Sequence, residues 1–162
     1  MQRILVVYYS ISGHTRDAAI AIGAALGADI EPIVEPATTR ITPWSYLTLG
    51  MKGVFGMPAP IGPGTYDPTT YDLVILGTPI WGGKMSAPAR SYVMAHRGQF
   101  RRLALFCTQG GTGGETALAE MATIAETKAA AMLALSDADR ASGKSAEKIA
   151  GFVAALRGAS VS

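Results

Sequence analysis

Three hydroxyl side chains, Ser10, Ser12 and Thr15, surround one glycine in the run Ser-Ile-Ser-Gly-His-Thr. Hydroxyls can donate hydrogen bonds to an anion, and Gly13 lets the backbone turn tightly and approach one. The run follows an unbroken apolar stretch, Ile4-Leu5-Val6-Val7-Tyr8-Tyr9, and leads into residues 16–26, which read as a helix. A helix start leaves backbone N–H groups without partners, and its macrodipole favours negative charge. The chemistry on offer is capture of a phosphate. No lysine lies in the loop, so the phosphate would be held mainly by neutral dipoles. Ser12 alone would read as an ordinary helix cap. The combination with Ser10, Gly13 and Thr15 carries the stronger reading.

Two further stretches have unusual chemistry for their position. Leu73-Val74-Ile75-Leu76 runs into Thr78-Pro79-Ile80-Trp81-Gly82-Gly83-Lys84-Met85. A tryptophan in a short glycine-rich turn is poorly placed for burial in a sheet. It is well placed to stack on a planar ligand, which contributes roughly 0.5–1.5 kcal/mol beyond area burial. The plainer alternative packs Trp81 on Tyr46 or Tyr66. A third apolar run ends in Thr108-Gln109-Gly110-Gly111-Thr112-Gly113-Gly114. In an open parallel sheet, ligands bind beyond the carboxyl ends of the strands where strand order reverses. Three such loops at the ends of the three most apolar strands are the main functional signal.

The elements that must position these loops follow from spacing. Residues 3–9 predict the first strand, and 16–26 the first helix, with Gly27 as its stop. Residues 29–34 predict a strand whose Pro32 suits an edge position. Residues 35–70 form a long connection. Thr42-Pro43 would start a short helix there, with Trp44, Leu47, Met51, Val54 and Phe55 on one face. Residues 72–77 predict the next strand, and Ser86 with Pro88 begins a helix that ends near His96. Residues 102–108 predict a strand. Thr112 and Glu115 have capping-box spacing for a helix to about Glu126. Residues 128–135 predict a final edge strand, and 145–156 a last helix closed by Gly158. This alternation predicts one α/β domain over 1–162, a doubly wound parallel sheet of five strands with helices on both faces.

Composition narrows the class. The chain has 162 residues, 16% of them charged and 49% hydrophobic, with a net charge of +2. That fits a sheet buried on both faces and gives no support to a nucleic-acid role. One cysteine, Cys107, excludes an intramolecular disulfide and reads as a buried, inert thiol. No signal peptide or apolar run long enough for a membrane span is read, so a cytoplasmic location is expected. No side chain stands out as a general acid or base, and no metal site is read.

The pattern Ser-x-Ser-Gly-x-Thr resembles the phosphate-binding loop of flavodoxins. Gly-Thr-Pro-Ile-Trp-Gly-Gly resembles the family's second flavin loop. The resemblance covers nearly the whole chain in element order and implies a flavodoxin-like fold with strand order 2-1-3-4-5 and bound FMN. It implies that Ser10, Ser12 and Thr15 would bond the FMN phosphate through side chains. Ile11, Gly13, His14 and Thr15 would do so through backbone N–H. Thr78, Pro79, Ile80, Trp81, Gly82, Gly83 and Lys84 would form the second flavin loop, with the indole on the isoalloxazine. Thr108, Gln109, Gly110, Gly111 and Gly113 would bring N–H groups to the pyrimidine edge.

Two departures shape the functional expectation. Flavodoxins proper carry an aromatic in the third loop, and this loop has none. One ring face would be open, or covered by Trp44, Tyr46 or Phe55. Flavodoxins proper are also strongly acidic, whereas the pI here is near 8.8 and Lys84 adjoins the expected ring. Both point toward an FMN-dependent oxidoreductase passing electrons from NAD(P)H or a redox partner protein to a small-molecule acceptor such as a quinone. The family includes menaquinone-linked protoporphyrinogen dehydrogenases. A one-electron flavodoxin, an FMN-less interaction module and a homodimer stay open. A receiver domain is excluded by the missing acidic strand ends. A cysteine phosphatase is excluded by Gly113 where its arginine would stand, and a P-loop nucleotidase by the missing Gly-Lys-Ser/Thr step.

Overall fold

The first strand, β1 (Ile4–Tyr8), is apolar at every position because both of its faces are covered. Successive side chains point to opposite faces. Leu5 and Val7 join one core cluster, and Ile4 and Val6 the other. A computed structural model describes residues 1–36 and 59–159. Its chain order continues with α1 (His14–Leu26) and β2 (Asp29–Pro32), then a 3-10 turn at Pro68–Thr70. Next come β3 (Leu73–Trp81), β4 (Lys84–Met85), α2 (Ala87–Ala95), β5 (Leu103–Gln109) and α3 (Gly114–Ala125). The chain closes with β6 (Ala129–Ser136), α4 (Asp137–Ser142) and α5 (Lys144–Gly158).

The main sheet has order β2-β1-β3-β5-β6, and its pairings are parallel. This is the doubly wound arrangement expected, with β4 as an added antiparallel strand on the end of β3. The strand order reverses between β1 and β3, which places the crevice beyond Tyr8 and Gly77. Helices α2 and α3 cover one face through Ala89, Tyr92, Val93, Leu118 and Met121. Helices α1 and α5 cover the other through Ala19, Ile22, Phe152 and Leu156. Pro32 pairs with Tyr8 on an edge strand, where its missing N–H costs no ladder bond. Gly77 lies under the ring of Phe106, where a Cβ would come within 2.1 Å of Cζ.

Three local expectations are corrected. The Thr78–Met85 stretch is not a loop, because β3 continues through Thr78, Pro79 and Ile80 to Trp81. Trp81 then pairs with Lys84 across a two-residue turn. Gly82 and Gly83 have φ of 57° and 73°, the doubly left-handed backbone such hairpins require. Thr112 and Glu115 make no capping box, since the N-cap of α3 is Gly113, which has no side chain. A capping box does form one element later, between Ser136 and Asp139 at the start of α4. That short helix was unforeseen. Gly158 is the last residue of α5 and not its stop. The expected helix from Thr42, with Trp44 and Phe55, lies outside the described residues.

Candidate functional site

Turns at the ends of β1, β3 and β5 come together through specific contacts. Thr15 at the start of α1 lies 2.7 Å from Thr108 at the end of β5, hydroxyl to hydroxyl, and both are buried. A Cβ on Gly113 would come within 3.1 Å of the Cα of Gly83, so the second and third turns touch through bare backbone. The Tyr9 N–H donates to the carbonyl of Gly77 at 3.1 Å, and the Tyr9 ring meets the Trp81 indole edge-on. Those ring centroids are 6.2 Å apart at 83°. All three sequence-predicted stretches therefore share one end of the sheet.

The first turn keeps its donors available. Gly13 is the N-cap of α1, in a left-handed conformation with φ of 96°, and no side chain caps the helix. The first intrahelical donor is Asp17, whose N–H reaches the Gly13 carbonyl. The N–H groups of His14, Thr15 and Arg16 consequently have no acceptor within the helix. Ser10 Oγ accepts from the Gly13 N–H at 3.1 Å and braces the turn. Ser12 and His14 are exposed. Arg16 pairs with Asp17 at 3.2 Å, yet its guanidinium also lies beside Gly13, where a Cβ would come within 2.8 Å of it, so one cation adjoins the neutral donors of the turn. By contrast, Ser86 caps α2 with its own hydroxyl.

The predicted residues do not all serve alike. Thr15 is buried and already bonded to Thr108. Thr78 is fully buried, and its Oγ1 accepts from the Ser86 N–H at 3.0 Å, which ties β3 to the start of α2. Gln109 uses its side chain: Oε1 accepts from the Gly114 N–H at 2.7 Å. That bond substitutes for the missing cap on α3. Trp81 is half-buried against the core cluster. Tyr66, its suggested packing partner, instead meets Tyr71 edge-on at 6.2 Å. Cys107 is buried, and desolvation pushes its thiol up to about 12, so it is inert as a nucleophile.

Sequence reasoning missed an ion-pair group behind the hairpin. Glu120 on α3 accepts from Lys84 Nζ at 3.1 Å and from Arg90 at 3.0 Å. Burial raises the Glu120 carboxyl, but the hydrogen bonds from Arg90 and Lys84 outweigh it and hold the group below its usual range. No spacing signal could have shown this, because the three residues lie on three elements. Among the described residues no group of His, Cys, Asp and Glu could hold a metal ion, and no helix is long and apolar enough to cross a membrane.

No family model matches the sequence. Solved structures do resemble the chain. A flavoprotein from Lactobacillus acidophilus NCFM, in complex with FMN, aligns with a TM-score of 0.70 at 20% identity, over 88% of this chain and 98% of that one. Oxidised flavodoxin 2 from Bacillus cereus aligns at 0.56 and 18% identity, over 96% and 97%. A flavodoxin, WrbA-like protein from Agrobacterium tumefaciens aligns at 0.55 and 17% identity, over 97% and 98%. The fold of this chain is flavodoxin-like.

Proposed function

We propose that this flavodoxin-like chain is an FMN-binding oxidoreductase that passes electrons to a small-molecule acceptor such as a quinone. The observation that carries the reading is the uncapped α1 start at Gly13, braced against β5, at the same end of the sheet as the Trp81 hairpin that meets Tyr9. An anion at that start would satisfy the N–H groups of His14 and Thr15 and the hydroxyl of Ser12. Ser10 and Thr15 would hold the turn in shape from behind, with Ile11 and Gly13 supplying its backbone. On the second turn Trp81 would stack on the ring, and Pro79, Ile80, Gly82, Gly83 and Lys84 would shape its edge. Thr78 would act by fixing that hairpin. On the third, the backbone of Thr108, Gln109, Gly110, Gly111 and Gly113 would face the pyrimidine edge. FMN bound there would supply hydride and electron transfer, while the protein supplies orientation and electrostatics.

The acceptor is inferred from what the third turn lacks. No aromatic stands between Gln109 and Gly114, so nothing on that turn would sandwich the ring. An open ring face suits a planar acceptor more than a partner protein. The test is anaerobic mixing of FMN-loaded protein with NADPH, then with a soluble quinone. Rapid bleaching followed by rapid reoxidation supports the reading. Reduction only by a partner protein, with no direct quinone reaction, would favour an electron shuttle.

A further inference from the structure

The hairpin that carries Trp81 is fastened to α3 at two points. One is the backbone contact between Gly83 and Gly113. The other is Lys84, the residue paired with Trp81, whose Nζ reaches Glu120 at 3.1 Å. Glu120 is shared. Its second oxygen holds Arg90, whose side chain is only 8% exposed. Two cations and one carboxylate leave a single uncompensated positive charge behind the hairpin. Lys84 and Arg90 share that one carboxylate, so Lys84 is only partly compensated.

We infer that Glu120 is a positioning residue that pins the Trp81 hairpin and sets the net charge presented to the flavin edge. This rests on the FMN reading above. A charge beside a bound group acts on it in proportion to the effective dielectric and distance. Raising the net charge from one to two would favour the more negative, reduced cofactor. Lowering it to zero would disfavour it. The two cations differ in consequence. Arg90 is buried, with Glu120 its ion-pair partner among the described residues, whereas Lys84 is about four-tenths exposed. Removing Lys84 therefore leaves a matched Arg90–Glu120 pair, and removing the Glu120 charge leaves Arg90 unmatched.

The test compares Glu120→Gln with Lys84→Met in FMN-loaded protein, reading the midpoint potential by dye equilibration. Glu120→Gln is expected to shift the reduced-to-oxidised ratio about tenfold upward, about 30 mV for a two-electron couple. Lys84→Met is expected to shift it downward. A purely structural pin predicts that both variants shift the same way or not at all, and either outcome overturns the charge-setting role. In apoprotein carrying Trp44→Phe, acrylamide quenching of Trp81 should rise in both variants. Unchanged quenching in both overturns the pinning. If Glu120→Gln does not fold, the Lys84→Met shift decides the sign. Failure of the unsubstituted protein to bind FMN is a separate result that removes the proposed function itself.

Discussion

Thr15 Oγ1 and Thr108 Oγ1 lie 2.7 Å apart in the buried seam between the start of α1 and the end of β5. The bond locks the first turn to the third. Thr108→Val keeps the shape and strands the Thr15 hydroxyl, which should cost about 1–3 kcal/mol in urea unfolding. Thr15→Val combined with Thr108→Val should cost less than the sum of the singles. The coupling should exceed about 0.5 kcal/mol. Additive losses would show that the two hydroxyls are independent.

Trp81 is half-buried and has Tyr9 at its edge, so its removal should trouble a ring ligand more than the fold. Trp81→Ala should weaken FMN binding by at least about tenfold, about 1.4 kcal/mol. The melting temperature of the apoprotein should change much less. A loss of apoprotein stability matching the loss of FMN affinity would make Trp81 a core residue.

Two left-handed glycines separate backbone strain from ligand binding. Gly27 has φ of 63° with open space around a Cβ; Gly13, at the proposed phosphate site, has φ of 96°, and a Cβ there would come within 2.8 Å of the flexible Arg16 guanidinium. An L side chain in that region costs about 1–2 kcal/mol. Gly27→Ala should lower stability by about that much and leave FMN affinity unchanged. Gly13→Ala should add a loss of FMN affinity of at least about tenfold. Equal FMN affinities in the two variants would detach the Gly13 turn from binding.

Asp139 closes the capping box at Ser136 and accepts from Lys148 at 2.7 Å. The Lys148 hydrogen bond, followed by the Ser136 backbone, lowers its carboxyl to about 2. A depressed acid stabilises the fold above its unfolded pKa, and that contribution disappears as pH falls through the folded value. The urea midpoint of the parent should therefore exceed that of Asp139→Asn by a constant amount above about pH 5. The gap should narrow from about pH 4 to pH 2. A gap independent of pH would contradict the assignment.

Much of the fold was readable because the strands are buried on both faces and so are continuous in apolar residues. Pro32 marked its edge strand, and element alternation brought out β6 despite its alanines. The hairpin was not readable. Pro79, Gly82 and Gly83 look like a loop, yet Pro79 sits at the strand end opposite Thr108 and the glycines make a two-residue turn. The Ser136-x-x-Asp139 spacing was a visible helix signal for α4. The first and third turns were legible as local patterns. Their bracing was not, because Thr15–Thr108, Gly83–Gly113 and Lys84–Glu120–Arg90 depend on packing between distant elements.

The reading stands or falls on whether the turn from Ser10 to Thr15 holds the phosphate of FMN. The most direct measurement is a pair of fluorescence titrations of the apoprotein, with FMN and with riboflavin, which differ only in that phosphate. Binding is expected to be one-to-one, with FMN tighter by about a hundredfold or more, roughly 2.7 kcal/mol. Equal affinity for the two flavins, or no binding of either, would contradict it.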